Sequence, residues 1–117
     1  MNTPAPVLSP RRRRSAACCP VVAGPALDAP PAAEMATVAK ALGDPTRLRI
    51  VDVVRRSAPE AVCQCELVPL FEMSQPGLAK HLRVLIDAGI LASERRGTWT
   101  YYYARSGGLE ELTAWLR

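Results

Sequence analysis

The sequence predicts an α+β, mainly helical fold, a winged helix-turn-helix with a two-stranded wing. Three observations predict it. Apolar residues recur at helical spacing in several segments between residues 33 and 86. A segment with one apolar and one basic face follows Ser74, a residue that can cap a helix. Two strand-like segments, 90–95 and 98–104, then flank a tight turn at Arg96-Gly97, which is the pattern of a β-hairpin.

The first 32 residues differ in composition from the rest of the chain, which has 117 residues in all. They hold seven of the 11 prolines and the four consecutive arginines Arg11 to Arg14, but few large apolar groups. Such a stretch cannot bury enough surface to offset its ordering entropy, so we expect a flexible arm at 1–32. The remaining residues, 33–117, are expected to form one small folded domain.

The predicted domain begins with two helices. The first, at about 33–42, has apolar residues at i, i+3, i+4 and i+7, namely Met35, Val38, Ala39 and Leu42. Gly43 ends this helix. Asp44 is a good N-cap for the second helix, 45–57, and Pro45 fits the first helical position, where no amide hydrogen bond is lost. The buried stripe of the second helix consists of Ile50, Val51 and Val54.

A short helix is predicted next, at about 65–72. Pro69 lies inside it and cannot donate a hydrogen bond to the carbonyl of Cys65, so we expect its first turn to be weak or distorted. This weak turn is of interest because Cys63 and Cys65, two of the four cysteines of the chain, lie at the start of the helix.

A longer helix follows the short one and completes the helix-turn-helix. Ser74 caps it, Pro76 is tolerated in its first turn, and Gly89 ends it. Its apolar side consists of Leu78, Leu82, Leu85 and Ile86. Lys80 and Arg83 fall about 200° and 140° around the helix from the first of these leucines, so they lie on the opposite side.

The chain is predicted to end with the hairpin and a short helix. In the second strand, two sets of residues alternate as in a half-buried strand: Trp99, Tyr101 and Tyr103 against Thr98, Thr100 and Tyr102. The last helix is amphipathic through Leu109, Leu112, Trp115 and Leu116. It begins after Gly107 and Gly108, which are poor helix residues, so packing against another element must hold it.

The longer helix and the hairpin together predict a DNA-binding surface. From residue 74 to residue 105 there are five Lys or Arg against two acidic residues, a basic excess that suits phosphate contact. A helix of this diameter enters the major groove, where its N-terminal exposed residues meet base edges. The predicted DNA contacts are Ser74, Gln75, Pro76, Ala79, Lys80, His81 and Arg83 from the helix, and Arg95 and Arg96 from the wing.

These residues suit different parts of DNA. Gln75 can pair bidentately with adenine, and Lys80 and Arg83 can contact guanine or phosphate. The wing arginines can follow the backbone or enter the minor groove. His81, the only histidine, lies about 60° from the buried direction, which favours packing or phosphate contact over metal ligation. The alternative for all of these basic side chains is that they form a solvated surface with no role in DNA binding.

Composition argues against several classes of function. No segment approaches the roughly 20 apolar residues that cross a bilayer, so no membrane partner is expected. The stretch "RRRRSAACCPVVAGPAL" mimics a signal peptide, but Pro20 and Gly24 break its short apolar run, so we expect a cytoplasmic protein. The chain shows no paired base and nucleophile and no phosphate-cradling glycine loop, and therefore predicts neither an enzyme nor an organic cofactor. Four cysteines in a cytoplasmic protein indicate metal or redox chemistry.

Four segments, taken in this order, resemble the ArsR/SmtB family of bacterial metal-sensing repressors: "KALGDPTRLRIVDVV", "VCQCEL", "SQPGLAKHLRVLIDAGIL" and "RRGTWTYYY". The resemblance covers residues 34 to about 105. It implies a homodimer that binds operator DNA when metal-free and releases it when an inducer binds. It also implies dimer contacts through the first and last helices, here about 33–42 and 107–117. A two-fold dimer reads half-sites roughly 34 Å apart.

Cys63-Gln64-Cys65 matches the Cys-x-Cys of the family's arsenic-, antimony-, cadmium- and lead-responsive members. Thiolates are the ligands that soft ions select, and the free amides at the start of a helix favour the thiolate form. Residues i and i+2 of a helix are about 200° apart. We therefore expect Cys63 and Cys65 to face different ways unless the turn unwinds, which Pro69 makes easier.

The second cysteine pair, Cys18 and Cys19, lies in the predicted arm. The tether between it and the folded domain spans on the order of 20 Å, so the arm can fold back. Trivalent arsenic or antimony needs three sulfurs on one side, which Cys18, Cys19 and one of Cys63 or Cys65 supply. We favour Cys63, which lies nearer the loop, and regard Cys65 as the less certain ligand. In one type of family member, the third thiol that binds arsenic follows shortly after Cys-x-Cys. This chain differs from that type, because residues 67–72 contain no cysteine. Whether an arm reaches its own subunit or the partner is open.

Three alternatives stand beside an arsenic or antimony inducer. Cadmium or lead would use all four thiolates, Cys65 included. A thiol redox switch would use the same fold with a Cys18–Cys19 or an arm-to-core disulfide, and a protein-interaction module would use neither ion nor DNA. The resemblance implies that a zinc-sensing member would carry Asp, His and Glu ligands on its last helix. The last helix here has no histidine, which argues against zinc as the inducer.

The mechanism that we favour from the sequence begins with an ion that pins the arm to the short helix. That helix then distorts ahead of Ser74 and tilts the recognition helices, which requires a coupling free energy of about 1 to 3 kcal/mol. Arg11 to Arg14 would add phosphate contacts that pinning removes, because they lie four residues before Cys18.

Overall fold

The structure, a computed structural model, describes residues 26–117. Within them the chain forms helices and strands in the order α1 (Ala29–Ala41), α2 (Pro45–Ser57), β1 (Val62–Cys63), α3 (Gln64–Phe71), α4 (Gln75–Asp87), β2 (Leu91–Arg96), β3 (Trp99–Ala104) and α5 (Glu110–Leu116). This is the predicted mainly helical winged helix-turn-helix, with α3 and α4 as the helix-turn-helix and β2–β3 as the wing. None of the helices in this part of the chain is long and apolar enough to cross a membrane.

The sheet has one strand more than the predicted two-stranded wing. Its order is β1-β3-β2, and both pairings are antiparallel. The hairpin turn is formed by Gly97 and Thr98, because Arg96 pairs with Trp99 as the last rung of the ladder, whereas we placed the turn at Arg96-Gly97. Gly97 has φ +64°, a conformation in which a side chain would be strained. The two residues of β1 are too few to produce a readable alternation.

The core lies between α2, α3, α4 and the sheet. The stripe predicted on α2 is confirmed, since Ile50, Val51 and Val54 are buried. The other large side chains buried in this cluster are Leu67, Leu78, Leu82, Leu85, Ile90, Leu91 and Tyr102. Ile86 is only partly buried against this cluster. The core therefore fixes α4 by one face and leaves its basic face free.

Helix α1 starts earlier than we predicted. It begins at Ala29 rather than at residue 33, so residues 29–32, which we assigned to the arm, are helical. Pro30 and Pro31 occupy its first turn, where a missing amide hydrogen bond costs nothing. Composition alone therefore misled us, because proline is read as a helix breaker but suits this one position. Of the predicted apolar face, Met35 is buried and Ala39 is exposed.

Helix α5 is held by a close backbone approach at its start. A Cβ atom on Gly108 would lie 2.5 Å from the carbonyl oxygen of Gly89 and 3.1 Å from the Cα of Ile90. Only glycine fits there, and Gly107 before it has φ +86°. The two glycines that weaken the helix by propensity thus let the chain pack against the turn after α4.

Asp44 starts α2 as predicted. Its carboxylate accepts hydrogen bonds from the amides of Thr46 at 2.9 Å and Arg47 at 3.1 Å. The bond from the Arg47 amide, ahead of the smaller opposing effect of desolvation, lowers the pKa of Asp44 below its ordinary value. The cap therefore depends on an ionised carboxylate.

We expect Asp44→Ala to lower the melting temperature at pH 7 by about 4 to 8 °C, the usual effect of losing an N-cap. Because the folded-state pKa is depressed, the stabilisation is complete above the carboxyl's unfolded pKa of about 3.9 and disappears as the pH falls through the folded value. Melting curves at pH 7 and pH 2.5 should therefore differ less for the variant than for the wild type. Asp28→Ala is the matched control, because Asp28 precedes α1 without a side-chain capping bond.

Candidate DNA interface and thiol site

Helix α4 presents the predicted DNA contacts on one exposed surface. Ser74 is its N-cap, and its hydroxyl accepts a hydrogen bond from the Gly77 amide at 3.2 Å. The exposed residues on the side away from the core are Gln75, Pro76, Ala79, Lys80 and Arg83. This arrangement matches the way a recognition helix offers its N-terminal turns to base edges.

His81 differs from the other predicted contacts. It is partly buried, and its Nδ1 lies 3.3 Å from Nη1 of Arg47. The Nε of Arg47 in turn donates to the carbonyl oxygen of Ala41 at 2.6 Å. Arg47 thus connects the end of α1 with the recognition helix, and His81 faces protein at this nitrogen.

The wing carries cations and aromatic rings at its tip. Arg95 and Arg96 are both exposed, and Arg96 lies 3.3 Å from the Glu94 carboxylate and 4.7 Å from the centroid of the Tyr101 ring. An ion pair this exposed contributes little stability. Trp99, opposite Arg96 in the hairpin, is 51% exposed and was missing from our predicted contacts. The signal was its position directly after the turn, where a strand residue has few neighbours to cover it.

The thiol site lies where β1 runs into α3. Cys63 is the N-cap of α3 in an extended conformation, with its side chain 1% exposed. Its Sγ accepts a hydrogen bond from the Cys65 amide at 3.2 Å, and Glu66 completes a capping box by accepting from the Cys63 amide at 3.4 Å. Cys65, two residues on, is exposed.

The expectation that Cys63 and Cys65 face different ways is wrong. Their sulfur atoms are in bonding contact as a disulfide, with the two Cα atoms 5.1 Å apart. The 200° separation applies to two residues within one helix, whereas Cys63 is the cap and has φ −69° and ψ 141°. Its side chain therefore turns towards the first turn of α3, and the pair can present two sulfurs together with no unwinding.

The rest of the predicted ligand set lies elsewhere. Cys18 and Cys19 fall outside the described residues, as do Arg11 to Arg14. Within residues 26–117, no group of three or more His, Cys, Asp or Glu side chains could hold a metal ion. An ion that needs three sulfurs and uses the Cys63–Cys65 pair must therefore obtain one more from outside this part of the chain.

Comparison with known proteins agrees with this architecture. The protein-family model described as bacterial regulatory protein, arsR family, matches residues 44–93, from the α2 cap into β2. The ArsR-like transcriptional regulator from Rhodococcus sp. RHA1 has a similar structure, with a TM-score of 0.65 and 28% identity over 75% of this chain and 80% of that one.

Curated relatives carry arsenic resistance in their names. The arsenical resistance operon repressor of Staphylococcus aureus is 32% identical over 79 residues, which are 68% of this chain and 73% of the repressor. The arsenic resistance transcriptional regulator ArsR1 of Pseudomonas putida is 43% identical over 65 residues, which are 56% of this chain but only 49% of its own length. By name these relatives are a repressor and a transcriptional regulator, and the matched family is one of regulatory proteins rather than enzymes. The chain belongs to the arsR family of bacterial regulatory proteins.

Proposed function

We propose that this protein is a homodimeric repressor that binds operator DNA when metal-free and is released by trivalent arsenic or antimony bound to cysteine thiolates. The observation that carries the proposal is the adjacency of the Cys63 and Cys65 sulfurs at the start of α3, the helix directly before the recognition helix. Relatives named as arsenical resistance repressors support the choice of ion. Soft metalloids select thiolates over the oxygen and nitrogen ligands nearby.

The proposed site takes three sulfurs from four candidates. We place Cys63 in every set that we propose, because it caps α3 and lies buried where that helix begins. The sequence favoured Cys18, Cys19 and Cys63, and the paired sulfurs now support Cys65 as a ligand as well. We therefore propose that Cys63 and Cys65 receive the ion and that one of the remaining cysteines completes its shell.

Release follows from the short distance along the chain between the two sites. Only residues 72–74 separate α3 from α4, and Glu72 takes a left-handed conformation at φ 51°. Leu67 of α3 and Leu78 of α4 are both fully buried in the common core. An ion that repositions the first turn of α3 therefore acts on the start of α4, where Ser74 and Gln75 lie.

The proposal is tested by titrating the reduced protein with a fluorescent duplex selected from a random-sequence library. Arsenite and antimonite should raise the dissociation constant of the DNA by about 5- to 150-fold, the usual range of allosteric coupling. Release by cadmium or lead at lower concentration than arsenite would establish the four-thiolate alternative. A protein that binds no duplex, or that none of these ions releases, would refute the proposed function.

One prediction concerns the recognition helix. Arg83→Ala should weaken metal-free DNA binding by about tenfold, because Arg83 is exposed on the face of α4 opposite the core. If the contact is to phosphate, the slope of log affinity against log salt should also fall by about 1. Arg56→Ala is the control, since Arg56 is also an exposed arginine but lies on α2, where it pairs with Asp52 at 2.9 Å. Equal losses for both variants would mean that only net charge matters.

A thiol redox switch is a second candidate, favoured by the Cys63–Cys65 disulfide. The pairing differs from the arm disulfides that the sequence suggested. Two thiols would lose two protons and two electrons to hydrogen peroxide, which becomes two molecules of water. Loss of DNA binding on peroxide treatment without metal, reversed by dithiothreitol, would support it. A thiol count would establish that the protein is oxidised. Unchanged DNA binding by that oxidised protein would then exclude the redox switch.

A further inference from the structure

We infer that Tyr102 is a positioning residue that transmits ion binding from the thiol site to the wing, through its hydrogen bond to Gln64 and the pairing of β1 with β3. The inference rests on the proposed function. It adds to the route through α3 and α4 a second route that ends on the cations at the tip of the hairpin.

The backbone provides the first part of this connection. β1 pairs with β3 in antiparallel register, with Val62 opposite Tyr102 and Cys63 opposite Tyr101. The ring of Tyr101 lies under the Arg96 guanidinium at 4.7 Å. Tyr101, the strand partner of Cys63, thus contacts Arg96 of the wing directly. Trp99, at the tip of the hairpin, lies only two residues before Tyr101 in β3.

The side chain of Tyr102 provides the second part. Its hydroxyl donates to Oε1 of Gln64 at 3.3 Å, and its side chain is 6% exposed. Gln64 stands between the two cysteines, so it is the residue whose backbone must adjust when both sulfurs close on one ion. Burial raises the pKa of Tyr102, which keeps the hydroxyl protonated and able to donate throughout the neutral range.

These contacts make the wing sensitive to the state of the thiols. When the Cys63-Gln64-Cys65 backbone moves, the hydroxyl of Tyr102 loses its acceptor in this part-buried bond unless the strand moves with it. Leaving the donor of a largely buried side chain unpaired costs free energy, so the two segments shift together. Since β2 is paired with β3 along its full length, from Leu91 to Arg96, the shift reaches the whole hairpin.

The test is Tyr102→Phe, which keeps the ring and removes only the hydroxyl. The quantity measured is the ratio of operator dissociation constants with and without arsenite, alongside the number of arsenite ions bound per subunit. We expect unchanged arsenite stoichiometry, metal-free affinity within about twofold, and a ratio about two- to tenfold smaller, the effect of one lost hydrogen bond. Tyr103→Phe is the control, because Tyr103 is 41% exposed on the other face of the same strand.

Gln64→Met removes the acceptor of the same hydrogen bond. Because Gln64 is only partly buried, this variant tests the inference even if the tyrosine variant folds poorly. It should reduce the ratio by the same factor, and the double variant should be no worse than either single one. A ratio equal to that of the wild type in Tyr102→Phe or Gln64→Met, with arsenite bound, would overturn the inference alone. A wild-type protein that arsenite does not release would instead overturn the proposed function.

Discussion

Cys63→Ser is expected to abolish the release of operator DNA by arsenite while leaving metal-free DNA binding intact. We expect the loss to be complete, because every thiolate set that we propose includes Cys63. A coupling ratio between 5 and about 150 in the wild type should fall to about 1. This is a large effect for the removal of one sulfur atom, since a hydroxyl is a poor ligand for a soft metalloid.

Serine is the most informative substitution at this position, because it removes the sulfur atom and preserves the fold. Cys63 caps α3, and its Sγ accepts the Cys65 amide at 3.2 Å. Serine is among the best N-cap residues, and its oxygen can accept the same bond. The capping box with Glu66 also remains, because it uses the backbone amide of residue 63. A loss of response therefore reports on the sulfur and not on the start of the helix.

The measurement is fluorescence anisotropy of a labelled operator duplex in reducing buffer, with arsenite titrated into wild type, Cys63→Ser and Cys65→Ser. Cys65→Ser should retain part of the response, because Cys18 and Cys19 can join Cys63. If Cys65→Ser removes the response and Cys63→Ser does not, the assignment of the ligands is wrong. Circular dichroism of each variant confirms that α3 and the rest of the fold are unchanged.

Sequence reasoning succeeded where one residue decides a local structure. Asp44 followed by Pro45 fixed the start of α2, and Ser74 fixed the start of α4. The leucines of α4 then predicted which face lies in the core and which carries Lys80 and Arg83. Caps and helical periodicity are local, so they can be read without knowing the fold.

The thiol site was predicted less well because it depends on contacts between distant segments. Treating Cys63 as part of the helix sent its sulfur away from Cys65, whereas pairing with β3 holds Cys63 extended as the cap. The sequence of residues 61–67 alone does not predict a two-residue strand. The hydrogen bond from Tyr102 to Gln64 joins residues 38 positions apart, so it could not be predicted from local sequence either.

The second large effect is expected in α5, from Trp115→Glu. No residue of α5 is buried, and Trp115 and Leu116 are 59% and 68% exposed. An open groove of about 280 Å³ between α1 and α5 is lined almost entirely by apolar atoms, from Leu27, Ala32, Met35, Ala36, Ala39, Leu112 and Trp115. An apolar surface of this kind on a small domain is what a two-fold partner would cover, in line with the proposed homodimer.

A glutamate at position 115 would put a charge into the apolar groove that such a dimer covers, where it is desolvated and unpaired. The protein should then sediment as a monomer. A monomer holds one half-site and loses the gain from binding two at once, so operator affinity should fall by about 10² to 10⁴. Leu48→Glu is the matched control, because Leu48 is 52% exposed on α2, away from the groove. A Trp115→Glu protein that still sediments as a dimer with wild-type operator affinity would mean that the groove serves another purpose, and that the two recognition helices are paired through a different surface.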